Sequence, residues 1–83
     1  MTAKIPLPLS SLAKTIQVGG IYNHYKGRRY KVLAVARHSE TLEELVVYQA
    51  LYENGGIWVR PLTMFLEDVI YNGQSQPRFK LMN

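Results

Sequence analysis

One short run carries the densest set of polar side chains in the sequence, Arg37-His38-Ser39-Glu40-Thr41. It follows a predicted strand, and loops at strand ends carry a large share of binding and catalytic groups. Its guanidinium, imidazole and two hydroxyl groups can together hold an anion. The alternative is structural, because Ser39 or Thr41 can close a turn by hydrogen bonding to the backbone. His38 and Ser39 are not a catalytic pair, since neighbours in an extended chain point to opposite sides.

Residues suited to other kinds of catalysis are few. The chain has no cysteine and two histidines, His24 and His38, which are not spaced as metal ligands. Asp68 is the only aspartate, and Glu43-Glu44 lie in a predicted solvated connection, so paired carboxylates for acid–base catalysis are not evident. The sequence therefore predicts no metal, no cofactor and no catalytic residue. A small enzyme that uses His38 is the alternative.

A predicted hairpin decides which side chains share a face with the single tryptophan. Asn54-Gly55 lies between two apolar runs, which is typical of a two-residue hairpin loop. Because side chains alternate along a strand, this loop would divide the hairpin into two faces. The predicted core face carries Tyr48, Ala50, Tyr52, Ile57 and Val59. The predicted outer face carries Val47, Gln49, Leu51, Trp58 and Arg60. A bulge at Gly55 or Gly56 would exchange the faces of one strand.

Trp58 and Arg60 lie two residues apart on one predicted strand. An exposed tryptophan beside a guanidinium is a common binding anchor, because it supplies ring area and a planar set of donors. In the structural alternative, Trp58 fills the core while Arg60 pairs with Glu67 or Asp68. The sequence leaves these two interpretations open.

Charge is distributed unevenly along the chain, whose net charge is +4. Residues 1–38 hold seven basic and no acidic residues, whereas residues 39–83 hold three basic and six acidic ones. Such a division either forms a basic face for phosphate or is neutralised across adjacent strands. The basic half interleaves cations with aromatic rings, as RNA or single-stranded DNA binding requires, unless it is only a solvated hairpin tip. These candidates are Tyr22, Tyr25, Lys26, Arg28, Arg29 and Tyr30.

The elements that position these residues are predicted to be short strands. Eighty-three residues make one domain with a small core. Residues 1–18 form an N-terminal extension, extended at Pro6 and Pro8, in which Ser10 or Ser11 caps a short helix that reaches Ile16. The alternative is an extended or disordered lead-in without a helix. Residues 19–83 read as a mostly β, five-stranded closed barrel with a short helical turn before the last strand. The strands are predicted at 21–25, 30–36, 45–52, 57–60 and 78–81, and the helical turn at 62–69.

The order of residues from Gly19 to Leu81 resembles one bacterial family. The matching segments are Gly20-Ile21-Tyr22-Asn23-His24-Tyr25-Lys26-Gly27, Tyr30-Lys31-Val32, Val35-Ala36-Arg37-His38-Ser39-Glu40-Thr41, Val46-Val47-Tyr48, Leu51-Tyr52, Trp58-Val59-Arg60-Pro61, Met64-Phe65 and Pro77-Arg78-Phe79. The family is known as domain of unknown function 1653, and its fold is regarded as an SH3-like barrel. The resemblance implies that fold and a bacterial cytoplasmic setting. It implies no activity and supplies no catalytic residues.

The sequence as a whole predicts a non-catalytic binding module for a peptide or partner protein. Small β domains present shallow aromatic grooves that suit extended segments. The candidate binding residues are Arg37, His38, Ser39, Thr41, Gln49, Trp58 and Arg60. RNA or single-stranded DNA binding through the basic, tyrosine-rich first hairpin is the rival prediction. No run approaches a signal peptide or a membrane span, so a cytoplasmic protein without membrane contact is expected.

Overall fold

The structure is a computed structural model that describes residues 8–82. A 3₁₀ helix at Ala13–Thr15 is followed by seven short strands and one helix, α1. None of the helices in this range is long and apolar enough to cross a membrane. The strands are β1 Ile21–His24, β2 Arg29–Arg37, β3 Glu44–Ala50, β4 Ile57–Pro61, β5 Asp68–Tyr71, β6 Gln74–Pro77 and β7 Phe79–Met82, and α1 is Leu62–Phe65.

The strands form two antiparallel sheets. The larger sheet has five strands in the order β4-β3-β2-β1-β7, and β5 pairs with β6 in a separate hairpin. The predicted mostly β fold is therefore confirmed. The larger sheet keeps two edges, β4 and β7, within residues 8–82, so closure into a barrel is not confirmed. Two strands that were not expected, β5 and β6, pair with each other instead of extending the sheet.

The segment after β4 departs from the prediction. The helical turn expected over 62–69 ends at Phe65, and Val69 lies in β5. Asn72 and Gly73 have φ values of 53° and 75°, which is the backbone of a tight two-residue hairpin loop between β5 and β6. The turn at 71–74 is thus confirmed, but it joins two strands that sequence patterning missed. β6 is polar, and the apolar Val69 of the short strand β5 was assigned to the helical turn.

The lead-in segment packs onto the sheet through Ser10. Its Oγ accepts a hydrogen bond from the Ala13 amide at 3.1 Å, as expected of a residue that caps a short helix. The Ser10 amide and hydroxyl also donate to the Glu44 carboxylate at 2.8 and 2.6 Å. These bonds, together with nearby Arg37, lower the pKa of Glu44 below its ordinary value. The expected extended backbone at Pro6 lies outside the described residues.

The core lies on one face of the five-stranded sheet and is largely aromatic. Phe65 from α1 is fully buried and stacks on Phe79, with ring centroids 4.1 Å apart and planes 5° from parallel. Tyr22 and Tyr48 pack against the same Phe65 ring at 5.3 and 5.6 Å. Phe79 lies on the edge strand β7, so α1 covers the sheet by packing Phe65 against aromatic rings from β1, β3 and β7. We call this covered side the inner face and the other side the outer face.

Candidate functional site

The register of β3 and β4 differs from the two-residue hairpin that Asn54-Gly55 predicts. Tyr48 lies opposite Trp58, and Gln49 lies opposite Ile57. The loop spans residues 51–56, with Glu53 and Gly55 at φ values of 51° and 67°. The loop is therefore longer than predicted, and the pairing is displaced by three residues. An odd displacement turns one strand over relative to the other.

The predicted faces of the hairpin are consequently wrong for β4. Ile57 and Val59, expected in the core, lie on the outer face and are 62% and 57% exposed. Gln49 shares the outer face with them, and its side chain donates to the Gly55 carbonyl at 3.0 Å, which pins the loop. Trp58 lies on the inner face, opposite buried Tyr48, yet it is 59% exposed because β4 is at the sheet edge. The structure thus resolves the question about Trp58 in favour of a surface residue.

Arg60 also lies on the inner face and points across it. Its guanidinium carbon is 5.6 Å from the centroid of the Phe79 ring in β7. Because β4 and β7 are the two edges of the sheet, this contact shows how strongly the sheet curls. Arg60 does not pair with Glu67, whose carboxylate instead accepts from Arg78 at 2.6 Å.

His24 packs among aromatic rings on the inner face, and one of these rings, Phe79, is also the ring over which Arg60 lies. Its imidazole packs on Phe79, Tyr25 and Tyr30, with ring centroids 4.9, 4.4 and 6.3 Å away. Its Nδ1 accepts a hydrogen bond from the Lys26 amide at 3.2 Å. Burial lowers the pKa of His24 below its ordinary value, and the positive charges of Arg60, Arg78 and Lys26 lower it further. The surroundings of His24 therefore carry an excess of positive charge.

A shallow cleft of about 250 Å³ opens between Trp58 and the loop that precedes β4. Tyr52 forms one wall, and its position is fixed from two sides. Its hydroxyl is 2.8 Å from the hydroxyl of Tyr30, and the Arg28 guanidinium lies 4.4 Å from its ring centroid. Burial, and after it the hydrogen bond with Tyr52, raises the pKa of Tyr30 to about 12. The cleft joins directly to the exposed ring of Trp58.

The segment from Arg37 to Thr41 is occupied by its own turn. Arg37 donates to the carbonyls of Leu42 and Pro8 at 2.8 and 3.2 Å. The His38 Nδ1 accepts from the amides of Glu40 and Thr41 at 3.0 and 3.2 Å. Thr41 in turn accepts from the Glu43 amide through its hydroxyl at 3.2 Å. These contacts are those of the structural alternative, and we find no such contact for the exposed Ser39 in this turn.

The predicted binding residues do not form one cluster. Arg37 is far from Trp58 along the strands. The β2 residue level with Trp58 is Val32, and Arg37 lies five residues beyond Val32. Gln49 is on the opposite face of the sheet from Trp58. Only Trp58 and Arg60 are brought together, on the inner face of β4. His24 and Tyr52 join them there, although sequence reasoning assigned neither to this site.

The basic, tyrosine-rich candidates are similarly divided. Tyr22 is buried, and its hydroxyl accepts from the Gln17 amide at 3.0 Å, so its ring is not free to stack on a base. Tyr30 is half-buried against Tyr48 and Phe79. Tyr30 lies between Arg29 and Lys31 in sequence, but side chains alternate along a strand, so its ring is on the inner face and the two cations are on the outer one. The prediction of a stacking platform is therefore wrong for Tyr22, whereas Tyr30 is only half-buried.

The outer face of the sheet keeps three cations together. Lys80, Asn23 and Arg29 lie side by side on adjacent strands. Lys31 lies two residues beyond Arg29 on the same face. None of the outward-facing strand residues of this sheet is acidic. The charge division is neutralised elsewhere by three ion pairs among the described residues, Arg28 with Glu53, Arg37 with Glu44 and Arg78 with Glu67.

No group of three or more metal-ligating side chains occurs within residues 8–82. No curated protein matches the chain. A family model described as a protein of unknown function, DUF1653, matches residues 20–81. The crystal structure of a DUF1653 protein from Bordetella bronchiseptica is 38% identical, with a TM-score of 0.74, and the match covers 82% of this chain and 88% of that one. The resemblance seen in the sequence is thereby confirmed, and the chain belongs to the DUF1653 family of proteins of unknown function.

Proposed function

We propose that this protein is a non-catalytic binding module that takes up an extended peptide segment of a partner protein along the outer edge of β4. The observation that carries the proposal is the edge itself. Three consecutive apolar residues, Ile57, Trp58 and Val59, are each more than half exposed on an edge strand. Proteins usually protect such edges with charges or bulges, because an unprotected edge pairs with other chains. A peptide strand that adds to β4 would cover this surface.

The main chain of β4 is arranged for such pairing. The Ala50 amide donates to the Gly56 carbonyl at 2.9 Å, which makes residues 50 and 56 a hydrogen-bonded pair. Since antiparallel pairs alternate, the amides and carbonyls of Trp58 and Arg60 face β3. Those of Ile57 and Val59 face away from the sheet. Pro61 has no amide hydrogen and limits the strand that can be added at that end.

A proline at Val59 tests the pairing directly. We expect Val59→Pro to weaken the binding of a peptide selected on the wild-type protein from a displayed random library by at least about tenfold. The substitution removes an outward-facing amide hydrogen, while the ladder to β3 does not use that group. Isothermal calorimetry on both proteins measures the effect.

Val59→Thr is the matched control, because threonine keeps the amide and the β-branched shape. It is expected to retain affinity within about threefold of the wild type. Amide NMR spectra and thermal unfolding verify that both variants are folded. Equal peptide affinity of Val59→Pro and wild type would contradict pairing at this edge. Failure of the wild-type protein to enrich any peptide would contradict the proposed function itself.

RNA or single-stranded DNA binding is a second candidate, and one observation favours it. Arg29, Lys31 and Lys80 share the outer face, and none of the outward-facing strand residues of this sheet is acidic. Such a face can follow a phosphate backbone electrostatically. Lys26 and Arg28 extend the basic surface at the turn between β1 and β2. The exposed rings needed for stacking are fewer than the sequence suggested, and this leaves peptide binding as the stronger proposal.

Salt titration separates the second candidate from the first. If nucleic acid binds, fluorescence anisotropy of a labelled single-stranded oligonucleotide should show affinity that falls steeply with salt. The combined Arg29→Gln and Lys31→Gln variant should reduce the log–log slope by about 1.4, because each phosphate that is no longer neutralised lowers it by about 0.7. Lys14→Gln removes the same kind of charge from the 3₁₀ helix and should leave the slope unchanged. Salt-independent or undetectable binding would exclude this function.

We further propose that the open sheet is a variant of the SH3-like barrel, and that the protein acts in the bacterial cytoplasm. The contact between Arg60 of β4 and Phe79 of β7 supports the first part, because it joins side chains from the two edges of one sheet. The Bordetella relative supports a bacterial setting. In such a partly closed barrel, an added strand would pair with the free edge of β4.

A further inference from the structure

We infer that the peptide segment bound at β4 carries an acidic side chain, whose carboxylate seats against Arg60 above the Phe79 ring on the inner face. This inference rests on the proposed function and specifies the partner's chemistry. It also fixes where the acid lies in the segment relative to its apolar residues. Its basis is the position of Arg60, the charges around it and the alternation of side chains along β4.

Arg60 is held in place without an acidic partner. Its guanidinium lies over Phe79, and none of the three ion pairs within residues 8–82 involves it. An arginine packed on a ring by one face keeps its planar edge of N–H donors available for a carboxylate. The other interaction of this kind, Arg28 over Tyr52, already has Glu53 at 3.8 Å. Arg60 is therefore the position on β4 where a carboxylate of the partner would supply a negative charge that the protein itself does not place there.

The surroundings of Arg60 reinforce the preference for an anion. Arg60, Arg78 and Lys26 all act electrostatically on His24, which lies on the same inner face. Glu67 pairs with Arg78 and offsets one of these charges. Lys26 lies 5.7 Å from the Tyr25 ring centroid, so two cations near His24 are balanced only by aromatic faces. A carboxylate placed there gains attraction from Arg60 at short range and from Lys26 at longer range.

Alternation of side chains predicts the spacing of the segment. A strand added to β4 presents every second side chain on the inner face, where Trp58 and Arg60 lie. The acid opposite Arg60 is then two residues from an apolar side chain opposite Trp58. The peptide residue between these two lies opposite Val59, and the next peptide residue after the apolar one lies opposite Ile57. Both should be apolar and β-branched. For an antiparallel added strand, the predicted order is acidic, β-branched, apolar, β-branched, and a parallel strand reverses it.

Synthetic peptides test this assignment. The probes carry glutamate, valine, leucine, valine in that order or reversed, flanked by serine and threonine, each with a partner in which glutamine replaces glutamate. Whichever order binds, the glutamate peptide should bind wild-type protein about tenfold more tightly than its glutamine partner. The Arg60→Gln protein should lose most of this preference, since the short-range attraction comes from the guanidinium. Arg60→Lys keeps the charge without the planar donors and should keep only part of the preference.

His24 supplies an independent signal by NMR. Bound glutamate peptide should move the pKa of His24 upward, because a carboxylate now opposes Arg60, Arg78 and Lys26, whereas bound glutamine peptide should not. Peptides that shift the amides of Ile57 and Val59 but show no glutamate preference would overturn this inference and leave the proposed function standing. If no peptide of either order shifts those amides at millimolar concentration, both fail. A glutamate preference that is undiminished in Arg60→Gln would also overturn the assignment.

Discussion

Phe65→Ala is expected to destabilise the protein by about 3–5 kcal/mol, the range for truncating a buried phenylalanine. Phe65 is fully buried and stacks on Phe79, with Tyr22 and Tyr48 packed against it. An alanine there leaves a cavity that neighbouring rings from β1, β3 and β7 border. Domains of this size have unfolding free energies of roughly 4–12 kcal/mol, so the loss is a large fraction of the total.

Urea denaturation of the two proteins measures this effect, with the slope of the transition checked for constancy. Met64→Ala is the matched control, because Met64 is the preceding residue of α1 and is exposed. It is expected to cost less than about 1 kcal/mol. Phe65→Leu restores most of the volume and should recover part of the stability. Equal destabilisation by Phe65→Ala and Met64→Ala would show that α1 does not close the core as described.

The importance of Phe65 was only partly readable from sequence. Met64 and Phe65 were both recognised as apolar members of a short helical turn, but a turn of four residues has too few positions for periodicity to distinguish them. The strands with strong apolar character, β2 and β3, were placed within one or two residues of their bounds. The exposed hairpin of β5 and β6 was missed, because β6 is polar and the apolar residues of the four-residue strand β5 do not alternate with polar ones.

For the candidate site, the sequence predicted which residues share a strand but not which residues lie across from them. Trp58 and Arg60 were paired correctly on one strand, because alternation alone fixes that relation. Their cross-strand neighbours were wrong, since the loop at 51–56 holds Glu53 at positive φ as well as Gly55. A non-glycine residue in this conformation leaves no simple sequence signal. His24 joined the site only through packing on Phe79, an interaction between residues far apart in sequence.

The polar run from Arg37 to Thr41 illustrates the opposite error. Its residues suggested an anion site, and three of its side chains instead hold the turn between β2 and β3 or the lead-in segment. Side chains that satisfy nearby backbone groups and side chains that await a ligand have the same composition. Only the hydrogen-bond partners distinguish the two cases.

Trp58→Ala is expected to separate binding from stability, in contrast to Phe65→Ala. The Trp58 ring is 59% exposed at the sheet edge, so its truncation should change the unfolding free energy by less than about 1 kcal/mol. Peptide binding should weaken by about 2 kcal/mol or more, roughly 30-fold, because a tryptophan covered on binding is a frequent hot spot. Calorimetry with a peptide selected on the wild-type protein and urea denaturation of both proteins give the two numbers.

The changes in the free energies of unfolding and of peptide binding together decide whether Trp58 acts in the core or in binding. Ile70→Ala removes an even more exposed apolar residue from β5, and it should affect neither quantity. Trp58→Phe keeps an aromatic ring beside the cleft and should retain part of the affinity. If Trp58→Ala destabilises the fold as strongly as Phe65→Ala, the ring serves the core and is not the proposed anchor. If stability and affinity both stay at wild-type values, the exposed ring of β4 takes no part in binding, and the edge must act through its main chain alone.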